Sequence, residues 1–225
     1  QEAFIQSCLH LVEELGVGEL PGVGLLLLRQ LVDLAQEPPL LGLEIEHAQG
    51  LYKKLTLRRW YAFTDMQTEV ARRLERVITV SENSFSDIVT DHKVDPHRMH
   101  IVPGGVDPEL FVPMPGVKRR AGMLITTASA DVAMKGLRYL LEAVAKLRTE
   151  RPEVPLTVIG RPKEGGESAR TIASLGLEDA VTFVSGVSDQ RIVELYAEAE
   201  VAVVPSLYEG FSLPAIEAMS TGIPL

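Results

Sequence analysis

Between Met123 and Ser220, short apolar runs alternate with stretches of helical periodicity, and this alternation restricts the fold more than any other feature of the chain. Met123 to Thr127, Pro155 to Ile159, Val181 to Val184 and Val201 to Val204 have the length and residue types of strands. After the first of them, Leu137, Leu140, Leu141, Val144 and Leu147 recur at helical spacing. Ala169, Ile172 and Ala173 mark a second helix that stops at Gly176, a suitable C-terminal cap. Ser188 or Asp189 caps a third helix, which carries Ile192, Val193, Leu195 and Tyr196. Pro214 suits the first turn of a helix running to about Ser220. Strands separated by helices form a parallel sheet with helices over both faces and right-handed crossovers. Ligands of such sheets bind in the crevice outside the carboxyl ends of the strands. That edge consists here of the loops 128–136, 160–166, 185–188 and 205–213.

The remainder of the chain is less constrained. Three prolines and two glycines in the segments Ile101–Asp107 and Phe111–Pro115 read as a domain boundary. Upstream of it, Val77 to Val80 is a strand, and Ser81 or Ser84 caps a short helix. Residues 51–76 read as helical and basic, and residues 1–50 as leucine-rich with helical stretches. With 225 residues, 46% of them hydrophobic, the chain is long enough for one large domain or two small ones. A net charge of -9 argues against wholesale nucleic-acid binding. The single cysteine, Cys8, cannot build a disulfide framework, which favours a reducing cytosol. The apolar run Val23 to Leu28 ends at Arg29, too short to cross a bilayer, and the first residues do not read as a signal peptide. A cytoplasmic location is the expectation.

The segment Pro205-Ser206-Leu207-Tyr208-Glu209-Gly210-Phe211-Ser212-Leu213-Pro214-Ala215-Ile216-Glu217-Ala218-Met219 closely resembles a hallmark of the retaining nucleotide-sugar glycosyltransferases of the fourth family, the glycosyl transferases group 1. That family includes sucrose synthases and many cell-envelope mannosyl- and glucosyltransferases. Its signature is two glutamates separated by seven residues, with Gly-Phe after the first. Gly104-Gly105-Val106-Asp107, with Phe111 and Pro113, is similar to the family's interdomain segment. Lys135-Gly136 resembles the pair that opens the first helix of its donor domain. Val181 to Gly186 resembles its third strand and the following glycine, and Val77 to Ser81 its last strand before the linker.

The resemblance implies a GT-B fold. Residues 114–225 would be a Rossmann-like, doubly wound nucleotide-sugar domain that stops before its last strand, and 1–113 a partial acceptor-side α/β domain with the linker. It also implies a hexosyl transfer with retention, from a nucleotide-diphosphate sugar to a glycan, glycolipid or small-molecule acceptor. Glu209 would accept from hydroxyls of the donor sugar and Glu217 from the ribose, since one carboxylate accepts from both hydroxyls of a diol. Lys135, with the amides of Gly210, Phe211, Ser212 and Leu213 at a helix start, would neutralise the leaving diphosphate. Gly186 would approach the base through its backbone. Lys135, Gly186 and Glu209 are expected to line one crevice. The chain has no Asp-x-Asp, so transfer without a metal is expected, with no cofactor beyond the donor.

Two positions depart from the family pattern. Ser129 and Ala130 stand where the family has Gly-Arg, so one cationic phosphate ligand is missing or comes from elsewhere. The N-terminal histidine loop is not recognisable, and His47 is its nearest candidate. These departures leave open a degenerate module that binds a nucleotide-sugar without transferring it. An epimerase on a similar two-domain fold is a third reading, which the Glu209 to Glu217 segment does not favour. Read alone, Lys135 is a solvated lysine at a helix start, and Arg161 and Lys163 belong to a solvated loop. His10, His92, His97 and His100 read as structural or surface residues. Lys53, Lys54, Arg58 and Arg59 precede Trp60 and Tyr61, with Arg72, Arg73 and Arg76 beyond. This pattern suits either peripheral contact with an anionic membrane through 53–76 or a solvated helix face.

Overall fold

The computed structural model describes residues 63–128 and 132–225. Cys8, His47, the leucine-rich stretch 1–50, the basic residues between Lys53 and Arg59, and Ser129 with Ala130 lie outside the described residues. Two compact units are present. One runs up to Gly105 and takes in Glu209–Phe211; the other is Val106–Tyr208 with Ser212–Leu225.

In the first unit, α1 (Phe63–Arg73) is followed by β1 (Val77–Thr79), α2 (Glu82–His92) and β2 (Met99–Ile101). Ser81, rather than Ser84, caps α2: its Oγ accepts the Ser84 N–H at 3.1 Å. The two strands pair in parallel, Val77 opposite Met99 and Thr79 opposite Ile101. Ala71, Val77, Ile88, Val94 and Met99 form the core of this unit. Sequence periodicity does not reveal β2, because three residues interrupted by His100 carry too little pattern.

The second unit is the expected parallel sheet. It contains β3 (Leu124–Thr127), α3 (Leu137–Arg148), β4 (Leu156–Ile159), α4 (Glu167–Leu175), β5 (Val181–Val184), α5 (Asp189–Glu198), β6 (Val201–Ala202) and α6 (Leu213–Ser220). The strand order is β5-β4-β3-β6, and every pair is parallel. β6 is shorter than its apolar run, although the Val203 N–H still donates to the Ile125 carbonyl at 2.8 Å.

Side chains alternate between two cores, as a sheet covered on both faces requires. Leu156 and Val158 of β4 pack with Leu137, Leu140, Leu141 and Val144 of α3 and Ile172 of α4. Ile125 and Ile159 point the other way, toward Val193, Leu195 and Tyr196 of α5 and Ala218 of α6. Leu141 and Ile125 are each fully buried, which contributes about 2 kcal/mol per side chain. Phe111 belongs to this second core, with Val106, Leu110 and Met114 against it. That packing explains why the division of the chain falls at Gly105.

The order of connection positions the site. From β3 the chain moves outward through β4 to β5, then returns to the opposite side of β3 to form β6. The topological switch point therefore lies between the carboxyl ends of β3 and β6, where the two following loops diverge.

Candidate functional site

The loops that leave β3 and β6 are locked together by their backbones. After β3, Ala133–Lys135 forms one turn of 3-10 helix, with the Lys135 N–H donating to the Val132 carbonyl at 2.9 Å. Gly136 follows with φ +64 and caps that turn in the left-handed region. α3 therefore begins at Leu137, after the Lys135-Gly136 pair rather than with it. A Cβ on Gly136 would fall onto the Pro205 carbonyl, whose carbon would lie 2.7 Å away. The Leu207 N–H donates to the Met134 carbonyl at 2.9 Å. Glycine thus satisfies two requirements at position 136, a positive φ and the absence of a side chain facing the neighbouring loop. This arrangement fixes Lys135, which is half-buried, at the rim of the switch point.

Behind that rim stands Tyr196, which is 1% exposed. Its hydroxyl lies 3.2 Å from Thr127 Oγ1 at the carboxyl end of β3, 3.4 Å from the Pro214 carbonyl and 3.4 Å from Glu217 Oε2. Burial pushes the phenol up to about 12, with the Thr127 hydrogen bond opposing, so the hydroxyl stays protonated across the physiological range. One proton cannot serve two acceptors. The Glu217 carboxylate, being charged, takes it in preference to the carbonyl, and Thr127 can donate to the phenol oxygen. Burial also raises the Glu217 carboxyl above the ordinary glutamate value; the Tyr196 hydrogen bond opposes that rise and Asp189 adds to it. Glu217 is accordingly a half-buried helix residue with one oxygen bonded inside the protein.

The start of α6 is partly committed to its own cap. Ser212 Oγ accepts the Ala215 N–H and the Ser212 carbonyl accepts that of Ile216, each at 3.3 Å. Pro214 has no N–H to offer. The Leu213 amide is a first-turn N–H with no partner inside the helix, and the Ser212 hydroxyl, accepting at the cap, still has a proton to donate. Glu209 and Phe211, both half-buried, and Gly210, buried, lie on the segment that joins β6 to α6.

Gly186 lies at the carboxyl edge of the sheet. It follows β5, an outer strand, whereas Lys135 follows β3 and the segment carrying Glu209 follows β6, the opposite outer strand. β5 and β6 are three strand spacings apart, on the order of 14 Å. Gly186 therefore shares the carboxyl edge of the sheet with Lys135, two strands away from β3. Its φ is +70 and a Cβ at this position would meet nothing within 4 Å, so the backbone angle, not crowding, calls for glycine there.

Other sequence candidates separate cleanly. Arg72 Nε donates to the His92 carbonyl at 2.7 Å, and Arg73 pairs with Glu69, so these two arginines are engaged within their own unit. His92 is buried, with its Nδ1 2.6 Å from Thr68 Oγ1, which is a structural role. Among the described residues no group of three or more His, Cys, Asp or Glu side chains is arranged to hold a metal. No described helix is long and apolar enough to cross a membrane. Among the described residues, sequence reasoning gives Tyr196 and its partner Thr127 no part in this site. Helical spacing places Tyr196 on the apolar face of α5, and periodicity carries no sign that its hydroxyl meets a glutamate.

The sequence model of the family described as Glycosyl transferases group 1 matches residues 119–225. An MMP alpha-(1->4)-mannosyltransferase of Mycolicibacterium hassiacum is 48% identical over 183 residues, covering 81% of this chain and 44% of that protein. A D-inositol 3-phosphate glycosyltransferase of Stackebrandtia nassauensis is 30% identical over 175 residues, 71% of this chain and 40% of that protein. The chain thus spans less than half the length of these curated relatives. In structure it is similar to WaaG, a glycosyltransferase involved in lipopolysaccharide biosynthesis, with a TM-score of 0.65 at 21% identity over 81% of this chain and 52% of that one. That likeness speaks to the fold alone. The family model over residues 119–225 and the 48% identity to the mannosyltransferase over 81% of the chain show that this chain belongs to the glycosyl transferases group 1 family, and its structure has the GT-B fold.

Proposed function

We propose that the protein of which this chain is part transfers a hexosyl group, with retention of anomeric configuration, from a nucleotide-diphosphate sugar to a glycan, glycolipid or small-molecule acceptor. The carrying observation is the switch point between β3 and β6, where the turn carrying Lys135 is bonded to the β6 loop and the helix carrying Leu213 and Glu217 is tied to β3 through Tyr196. On this reading Lys135 and the helix-start amide neutralise the diphosphate, and Glu217 accepts from the ribose. Glu209 orients the donor sugar rather than attacking it. The acceptor then approaches from the leaving-group face, and a donor phosphate oxygen takes its proton. A lysine in this position supports transfer without a divalent ion. The mannosyltransferase relative makes a mannosyl nucleotide the first donor to test. The reading places the reaction in the cytosol.

Turnover of a panel of UDP-, GDP- and ADP-sugars by the full-length protein, in the presence and absence of a chelator, tests the proposal. Product of retained configuration, formed equally with chelator, is expected. Donor binding without turnover would instead establish the degenerate binding module, for which Ser129 and Ala130 in place of Gly-Arg are the sequence argument. Lys135→Ala is expected to weaken nucleoside diphosphate binding by about 1.5–3 kcal/mol and nucleoside binding far less. Equal losses in calorimetric titrations of the two ligands would remove Lys135 from the phosphate site.

A further inference from the structure

We propose that Tyr196 is a positioning residue of the donor site, holding Glu217 in its ligand-facing orientation and tying that carboxylate to the carboxyl end of β3. The inference rests on the donor role of Glu217 proposed above. Its geometry is independent of that role. Tyr196 rises from α5, is fully buried, and meets Thr127 of β3, the Pro214 carbonyl in the first turn of α6 and Glu217 one turn later. Three elements of the sheet edge thus converge on one hydroxyl.

A phenylalanine would fill the same volume in the core formed with Val193, Leu195 and Ala218. The hydroxyl is what the core does not need. A phenol buried this deeply is destabilising unless its O–H is bonded, and the partners it finds lie on the site side of α5. The bond to Oε2 restrains the carboxylate and engages one of its two oxygens, so Oε1 is not taken up by Tyr196. The hydrogen bond from Thr127 to the phenol oxygen increases the phenol's strength as a donor, so the order Thr127, Tyr196, Glu217 is a directed chain.

The carboxylate must stay ionised to accept from a diol. Among the described residues, the titratable or charged groups acting on it are Tyr196 and Asp189, both from α5. Burial and Asp189 favour the protonated form, and the Tyr196 bond opposes them. Loss of the hydroxyl therefore removes the contribution that keeps Glu217 charged, and its pKa rises further. A Tyr196→Phe enzyme should show its acid limb of kcat/KM for the donor moved to higher pH.

The test uses the full-length enzyme with its donor identified. Tyr196→Phe should raise the donor KM roughly 10-fold with little change in kcat. In a double-mutant cycle with Glu217→Ala, the tyrosine effect should largely vanish, since no carboxylate remains to position. A purely structural tyrosine would lower the melting temperature equally in both backgrounds, leave the acid limb in place and give additive losses, and any such result overturns the inference. Failure of the wild-type protein to use any nucleotide-sugar would defeat the parent reading. A donor KM that rises in Glu217→Ala but not in Tyr196→Phe would defeat this one alone.

Discussion

Gly136→Ala is expected to destabilise the second unit by about 3 kcal/mol. Two costs combine. An alanine at φ +64 occupies the left-handed region, and its Cβ overlaps the Pro205 carbonyl. The overlap is with backbone, so no side-chain rotation relieves it; the β3 loop or the β6 loop must move. Either movement strains the Leu207 to Met134 hydrogen bond that joins them. For a chain of this size the loss corresponds to a fall in melting temperature of roughly 6–12 °C. Gly186→Ala is the control. Its φ is also positive, but the space around it is open, so it should lose only the conformational part, about 1 kcal/mol. Thermal melts of the two variants beside the native protein check both values, and equal shifts would show that crowding at Pro205 contributes nothing. Because the same contact fixes Lys135, Gly136→Ala should also weaken nucleoside diphosphate binding even at temperatures where the protein is folded.

The contrast between Gly136 and Tyr196 shows what the sequence could carry. A strand buried on both faces is a continuous apolar run, so β4, buried along its whole length, is legible from composition, and β3 and the less buried outer strand β5 are legible from short runs of strand-forming residues. Helices of one apolar stripe are legible from spacing, and Leu137, Leu140, Leu141 and Val144 are all buried as their period requires. β2 was not legible, because a three-residue strand beside one partner needs no pattern of its own. The Lys135-Gly136 pair was visible as a motif, but its reason was not. The glycine is required by a carbonyl in a loop that follows another strand, a contact created only when β6 returns beside β3. Tyr196 was legible as a core residue for the same reason as Val193. Its hydroxyl acquires meaning only from Thr127 and Glu217, which lie on two other elements. Local chemistry is written locally; a site assembled across a switch point is not.

Replacing the two glutamates should separate binding from turnover. Glu217→Gln preserves shape and can still accept from Tyr196, but it loses the charge that makes it a strong acceptor for a ribose diol. The ribose lies far from the bond that breaks, so the lost interaction is the same in ground and transition states. The donor KM should rise about 10-fold while kcat stays close to native. The burial of Glu217 predicts the accompanying pH behaviour. Its pKa is raised in the folded protein, so the carboxylate form, and with it tight donor binding, is present at higher pH and lost as pH falls through that raised value. The Glu217→Gln enzyme should show no such acid limb. Glu209→Gln should fail in the other way. If Glu209 orients the sugar whose ring gains positive charge, its carboxylate interacts most strongly when that charge develops. Turnover should then fall about 100-fold, with donor affinity changed much less. The measurement is single-turnover rate and equilibrium donor affinity, determined separately on the full-length enzyme. Normal turnover in Glu209→Gln would remove that residue from the reaction, and an affinity loss as large as the rate loss would make it a second binding residue. Neither result would disturb the sheet or its switch point, because those rest on strand pairing and on the backbone bond from Leu207 to Met134.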